Sequence, residues 1–593
     1  MVEIMNLTME QRNAVKYRDN ALIVACPGSG KTRTLVAKLL HCLEEVRDTS
    51  RKIACLTYTN AAVYEIENRL SKYGKCGDEE YCDVSTIHSF CLVNILNNFY
   101  WRIPEYSNGF SVITPDNEAF QKIAFDVLTE YGLPLQLRDD FKSFNREIDG
   151  TPIVPPDIPP VIALAFWKRL EAQGLIDFPN IIYYAFKLLH KKPGIAYALS
   201  CKYSWFLVDE FQDTTALQVE LFRKIASFRQ TTFFLVGDPY QSIYSFAGAR
   251  VELMEDFAKG ISARTDFRLL SNYRSSNVII EHAEMLCPRN PAMRGDGETA
   301  DANTEPIYVH TATAFEAITD YFLPALDNLD ISYGNAAILA PWWIKLLHLG
   351  RRLRDYGIPI VGPGARPYKK SHLFATLAEQ ICAFISHPTH KTFHQIEREL
   401  FLLLNAITGK CPYHIFSYRG NVTIRKLIAV GSDIYKRSPG AVDWLTLAAK
   451  SFESILISDN LISVSHASIL RESADNIVDD LKRNKIDVNN LSAEDLGLFA
   501  STERNLHLLT MHKAKGREYD AIAIIDLHDG RVPDFRSINN GDVKGIEESK
   551  RLLYVSITRA RRFLMYVTDD EDNRNRPSRF ICTGHLALSR FNR

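Results

Sequence analysis

The 593-residue sequence predicts an α/β protein built on parallel sheets, and three features of the text predict it. Short apolar runs of strand length alternate with helical patterns. The runs end in glycine-containing or polar clusters, which is where parallel sheets present their ligand-binding groups. Two long stretches of helical text interrupt the alternation. A chain of this length is too long for one core, so several domains are expected.

Composition bounds the function. Hydrophobic residues make up 46% and charged residues 24%, the balance of a globular chain. A net charge of −1 announces no bulk attraction to nucleic acid, so any basic groove must be local. No apolar run approaches the ~20 residues that span a bilayer. The start, Met1-Val-Glu-Ile-Met-Asn6, lacks the pattern of a secretory signal. Eleven cysteines without a C-x-x-C pair predict free thiols and a reducing, cytoplasmic location. Cys76 and Cys82 lie closest together but have no second ligand pair for zinc.

In chain order, Thr8 is a candidate N-cap and Gln11 completes a capping box with it. A Gln amide also matches the N6 and N7 edge of adenine, so both roles stand open. The run Leu22 to Ala25 then breaks at Cys26 and Pro27 and passes through Gly28, Ser29 and Gly30 to Lys31, Thr32 and Arg33. A helix follows, with Leu35, Leu39, Leu43 and Val46 on one stripe. Strand, glycine turn and helix start form a phosphate cradle. The glycines let backbone N–H groups turn toward phosphate oxygens, Lys31 can reach the β and γ phosphates, and the Thr32 hydroxyl can ligate Mg²⁺. Ala25 stands where the usual pattern begins with glycine.

The run Ile53 to Asn60 reads as a buried strand ending in Thr59 and Asn60, with a helix from Ala61 to Leu70. Ser85 to Phe90, which includes His88, is a second polar cluster after a short strand. From Phe99 to Ser200 the text is aromatic and helical, with prolines at 152, 155, 156, 159 and 160, and reads as an insertion. Sheet signals resume at Trp205 to Val208, which deliver Asp209 and Glu210 to a strand tip. Paired acids there suit Mg²⁺ handling by Asp209 and water activation by Glu210. The run Thr231 to Val236 leads to Asp238, Gln241, Tyr244 and Phe246, and the two rings are candidates for stacking on bases.

Further on, strands are expected at Ala336 to Leu339 and Gly357 to Val361. Residues 366–499 are helical by pattern. His387, His390 and His394 have helical spacing there, but Pro388 breaks the face that would gather a metal.

These motifs stand in one order, and the chain resembles the superfamily 1 DNA helicases of UvrD/Rep/PcrA type. Leu270-Ser-Asn-Tyr-Arg-Ser-Ser276 is similar to the family's fourth motif. Leu509 to Tyr519 is similar to the fifth, Glu547 to Ala560 to the sixth, and Gly174 to Phe178 to a segment before the acidic motif. The resemblance spans Gln11 to Arg559. It implies two RecA-like parallel-sheet motor domains, each with a mainly helical insertion. The expected divisions are 1–98 with 200–268, insertion 99–199, 269–365 with 500–593, and a reduced insertion 366–499.

The resemblance also implies roles. Gln11 would contact adenine, Tyr273 would pack on the base and Glu518 would meet the ribose. Lys31, Thr32 and Asp209 would hold phosphate and Mg²⁺, with Glu210 as general base and Gln241 sensing the γ-phosphate. Arg274 and Arg559 would be arginine fingers. Thr59, Asn60, His88, Tyr244, Phe246, Thr510 and His512 would contact single-stranded DNA.

The implied activity is an ATP-dependent DNA helicase or translocase moving 3′ to 5′ on single strands. Two departures weaken the expected grip. Phe246-Ala247 stands where the family commonly has Trp-Arg, and about 130 residues form the second insertion. About 30 residues follow the sixth motif, so no fused nuclease is expected. The chain therefore also resembles, loosely, the helicase-like subunit of bacterial Gabija defence systems. On that rival reading it is a DNA-stimulated regulatory ATPase that gates a separate nuclease subunit in an anti-phage complex. A repair helicase acting alone is the third reading.

Overall fold

The structure, a computed structural model, describes residues 6–245, 248–408, 415, 418–484, 491–571, 576–582 and 589–590. By its contacts the chain forms two compact units. One comprises Met1–Ala302 with Val543–Thr558, and the other Asn303–Asp542 with Arg559–Arg593.

The first unit is organised on a six-stranded sheet. From edge to edge its strands are Arg264–Leu269, Ala21–Ala25, Thr232–Gly237, Tyr203–Val208, Lys52–Thr57 and Cys82–Thr86. Every neighbouring pair is parallel. The central strands are apolar on both faces, as strands covered by helices on both sides must be. Leu22, Leu56, Phe206 and Leu235 enter one core; their alternate neighbours Ile23, Cys55, Leu207 and Phe234 enter the other. Helix Lys31–Val46 covers the second core with the expected stripe of Leu35, Leu39, Leu43 and Val46. Helix Ala216–Ala226 covers the first with Leu217, Leu221, Phe222 and Ile225. Because all six strands are parallel, the tips at Ala25, Thr57, Thr86, Val208 and Gly237 share one edge of the sheet. That edge carries the polar clusters.

From Phe99 to Ser200 the chain is mainly helical, as its text implied. Phe120, Phe141, Phe144, Phe166 and Trp167 form a separate aromatic core there. One helix runs Pro160–Ala172, with Pro160 in its first turn, where a missing N–H costs nothing.

The second unit holds a seven-stranded parallel sheet. Its order is Ile360–Val361, Leu506–Thr510, Ala336–Ala340, Tyr519–Ile524, Ala560–Asp569, Ile307–Thr311 and Ser589–Arg590. The strand expected from Gly357 shrinks to two residues. Gly357 has a φ of +89° that no strand adopts, and Pro359 has no N–H to give a ladder. The described residues of 366–499 are mainly helical, and their longest helices are His390–Thr408, Tyr418–Arg437, Ala441–Ser458 and Ile469–Arg483. Trp444, Phe452, Leu377 and Ile477 belong to a core of that segment. No described helix is long and apolar enough to cross a membrane.

Candidate nucleotide site and nucleic-acid contacts

The loop after Ala25 turns on two left-handed glycines, Gly28 at φ +68° and Gly30 at φ +76°. A Cβ on Gly28 would stand 2.6 Å from Asn272 Oδ1 and 2.7 Å from Arg274 Cβ. Nothing larger than glycine fits without displacing the fourth-motif segment. Cys26 N donates to Leu269 O at 2.9 Å, and Ser29 Oγ donates to Cys26 O at 2.7 Å, so the loop closes on itself over the sheet edge. Lys31 opens the helix, with Thr32 and Arg33 in its first turn. Arg33 donates to Asn6 O at 2.8 Å. Burial pushes the Cys26 thiol up to about 12, which keeps it a neutral filler behind the loop.

Gln11 completes the capping box and also reaches the phosphate loop. Its Oε1 accepts from Thr8 N at 3.0 Å in a capping box, and its Nε2 donates to Ser29 O at 3.0 Å in the phosphate loop. To read an adenine edge it must share or trade one of these bonds. Gln11, Ser29, Leu270, Tyr273 and Arg294 line a cavity of about 210 Å³. Tyr273 N donates to Gly28 O at 2.9 Å, and Arg274 N and Ser275 N both donate to Asn272 Oδ1. The fourth motif is thus tied to the phosphate loop within the first unit. The Arg274 guanidinium donates to Thr558 O at 3.1 Å, also in that unit.

Asp209 is buried at its strand tip, with its N–H given to Leu56 O. Burial first, and then the Glu210 charge, raise its carboxyl to about 7, against an opposing pull from Lys31. A buried carboxylate beside a second acid and a lysine is short of positive charge, and a divalent cation would supply it. The oxygen donors present, the Asp209 carboxylate and the Thr32 hydroxyl, suit Mg²⁺. Glu210 follows in left-handed backbone, φ +49°, and its Oε2 accepts from Gln212 Nε2 at 2.5 Å. Gln212 Oε1 in turn accepts from Asp238 N at 2.9 Å on the next strand tip. Gln241 Nε2 donates to Asp238 Oδ2 at 2.6 Å. Asp238 is fully buried and receives two bonds, 2.5 and 2.7 Å, from Arg289. Sequence reading missed Arg289: it lies in Cys287-Pro-Arg-Asn-Pro291, outside every motif.

The residues expected to touch DNA divide between the two units. Thr59 caps helix Asn60–Tyr73 by accepting from Ala62 N, so its hydroxyl has a local structural task. Asn60 is exposed at the first position of that helix. Tyr244 stacks on Tyr58 with ring centroids 5.4 Å apart. His88 meets Phe178 edge to face at 5.7 Å, and burial lowers its imidazole to about 4, so it is neutral. Tyr58, His88, Phe144 and Phe178 line a cavity of about 350 Å³. Tyr58 and Phe178 were absent from the sequence-based contacts, although both sit inside motifs that carried the resemblance. Phe246 and Ala247 lie outside the described residues.

In the second unit, strand Leu506–Thr510 ends in Thr510, which pairs with Ala340, and His512 follows in a turn. Glu518 is exposed just before strand Tyr519–Ile524. Arg559 is buried, and its guanidinium donates to Arg517 O at 3.5 Å. Among the described residues no cluster of His, Cys, Asp or Glu could hold a metal by itself, and the His390 side chain lies outside them.

Comparison with known proteins gives the family. Residues 7–148 and 161–262 match the UvrD/REP helicase N-terminal domain, and residues 456–570 match the UvrD-like helicase C-terminal domain. The chain is 24% identical to DNA helicase II of Rickettsia typhi, over 97% of this chain and 94% of that one. It is 24% identical to the ATP-dependent DNA helicase Rep of Buchnera aphidicola, over 95% and 94%. The ATP-dependent DNA helicase PcrA of Staphylococcus aureus is also 24% identical, over 97% and 86%. The chain belongs to the superfamily 1 DNA helicases of UvrD/Rep/PcrA type. It is an enzyme of that kind.

Proposed function

We propose that this helicase hydrolyses ATP on the strand tips of the first unit and uses the cycle to move 3′ to 5′ along single-stranded DNA. The observation that supports it most is the assembly of the Gly28–Thr32 loop, the Gln11 and Tyr273 cavity and the Asp209-Glu210 tip on one sheet edge. In this reading Lys31 binds phosphate, Glu210 takes the proton of the attacking water, and Gln241 senses the γ-phosphate and orients that water. Mg²⁺, held by Thr32 and Asp209, would neutralise charge on the phosphate oxygens. Arg274 and Arg559 act as fingers; for Arg559, in the other unit, the role rests on the family resemblance alone.

DNA contacts run over Asn60, His88, Tyr244 and Phe246 in the first unit and Thr510 and His512 in the second. Thr59 joins them through its backbone end of the helix. A cytoplasmic setting and a nuclease docked on an insertion complete the proposal. The matched relatives, DNA helicases by their names, do not favour the regulatory-ATPase alternative.

The test is ATP turnover with and without single-stranded DNA at low salt. DNA-contact and ATP-contact residues share strand tips, so DNA should raise the rate, and binding should weaken with salt as counterions are displaced. A rate indifferent to DNA at low salt would count against the motor.

A further inference from the structure

We propose that Arg289 is a positioning residue of the hydrolytic site, fixing Gln241 and Glu210 through Asp238. The inference rests on the nucleotide reading above and adds a residue that no helicase motif of this chain contains.

The bonding runs as one chain. Arg289 Nη2 gives both oxygens of Asp238 a hydrogen bond, at 2.5 and 2.7 Å. Asp238 Oδ2 also accepts from Gln241 Nε2, which settles the end of the amide that faces the carboxylate. The oxygen end of Gln241 is therefore the one turned away, and an oxygen is what orients a water by accepting from it. On its other side Asp238 N donates to Gln212 Oε1, and Gln212 Nε2 donates to Glu210 Oε2. One buried ion pair thus holds both the water-orienting amide and the candidate general base.

Arg289 is itself held. Its Nε donates to the Tyr554 hydroxyl at 2.9 Å, and its guanidinium lies 4.3 Å from the centre of the Tyr240 ring. Arg289 and Asp238 are both almost wholly shielded from water. They stand close enough to the phosphate loop for their charges, with that of Lys31, to act on the Cys26 thiol. Helix Asn277–Leu286 ends at Cys287, and prolines at 288 and 291 flank the arginine, so backbone stiffness adds to the ring contacts.

A purely structural ion pair would share the burial but not the link to turnover. The planar guanidinium serves Asp238 through Nη2 and the Tyr554 hydroxyl through Nε while it lies against the Tyr240 ring, so lysine keeps the charge and loses that geometry. The full-length chain is assayed as wild type, Arg289→Lys, Asp238→Asn with Arg289→Met, and Lys31→Ala. Melting temperature, stoichiometry of a fluorescent ATP analogue, and kcat and KM for ATP are measured with saturating single-stranded DNA. Arg289→Lys should bind nucleotide fully, keep KM within about threefold and lose about tenfold or more in kcat. The charge-neutral double variant removes both buried charges together; it should show the same split and serves if the lysine variant does not fold.

A folded Arg289 variant with wild-type kcat overturns the inference. So does a kcat loss matched by an equal loss of nucleotide-binding stoichiometry, the mark of a structural role. Wild-type turnover by Lys31→Ala would instead overturn the nucleotide reading itself, and the inference with it.

Discussion

Lys31 and Glu210 stand close to the same buried carboxylate, and their charges act on Asp209 in opposite directions. Their expected variants differ accordingly. Lys31→Ala should lose ATP binding and turnover together, because a ground-state phosphate contact is removed. Glu210→Gln should keep ATP binding and lose turnover, because a proton acceptor is removed while the hydrogen bond from Gln212 still finds an oxygen. Filter binding beside a phosphate-release assay separates the two, and near-normal hydrolysis by Glu210→Gln would remove it as the base. At this scale the sequence was readable wherever a residue type and a strand tip coincide, as at Gly28, Lys31 and Asp209. It was not readable at Arg289. Nothing marks a lone arginine between prolines until the fold brings it onto Asp238. Thr59 has a second task that its motif did not announce: its hydroxyl caps a helix.

Among the elements, the strands announced themselves in proportion to their burial. Phe206 to Val208 and Phe233 to Val236 are buried throughout, and their apolar runs were visible. Strand Arg264–Leu269 went unread, because it lies at the sheet edge with four of its six residues exposed, and its text is polar. The cavity of Tyr58, His88 and Phe178 shows how a helix start and two strand tips make a surface that no single motif spells out. Phe178 opens helix Phe178–Lys191 beneath the Asp177 cap, with 44% of its surface exposed. Stacking on a base is worth about 1–3 kcal/mol, so Phe178→Ala should weaken single-stranded DNA affinity by about tenfold while basal ATPase holds. Fluorescence anisotropy with a short labelled strand measures this, and unchanged affinity would take the cavity out of the DNA path.

For the whole molecule, the sequence conveyed two parallel sheets and two helical insertions because the motifs punctuate them. Part of its sharpest departure, Phe246-Ala247, is a matter of chemistry alone, since those residues lie outside the described ones. A phenylalanine offers a smaller stacking face than tryptophan, and alanine removes a charge-assisted contact. Separating a base-pair step costs about 1.4 kcal/mol on average, so a weakened grip favours movement along single strands over unwinding. Phe246→Trp with Ala247→Arg should then raise strand displacement more than it raises ATPase; processive unwinding of long duplexes by the wild-type chain alone would contradict the weak-grip account.

The central claim is directional movement fuelled by ATP, and streptavidin displacement from end-labelled single strands tests it most directly. With biotin at the 5′ end, ATP should speed streptavidin release well above the spontaneous rate. The 3′-labelled strand should show no such effect, and Glu210→Gln should abolish the difference. ATP-independent release at both ends, or faster release from the 3′ end, would contradict the account.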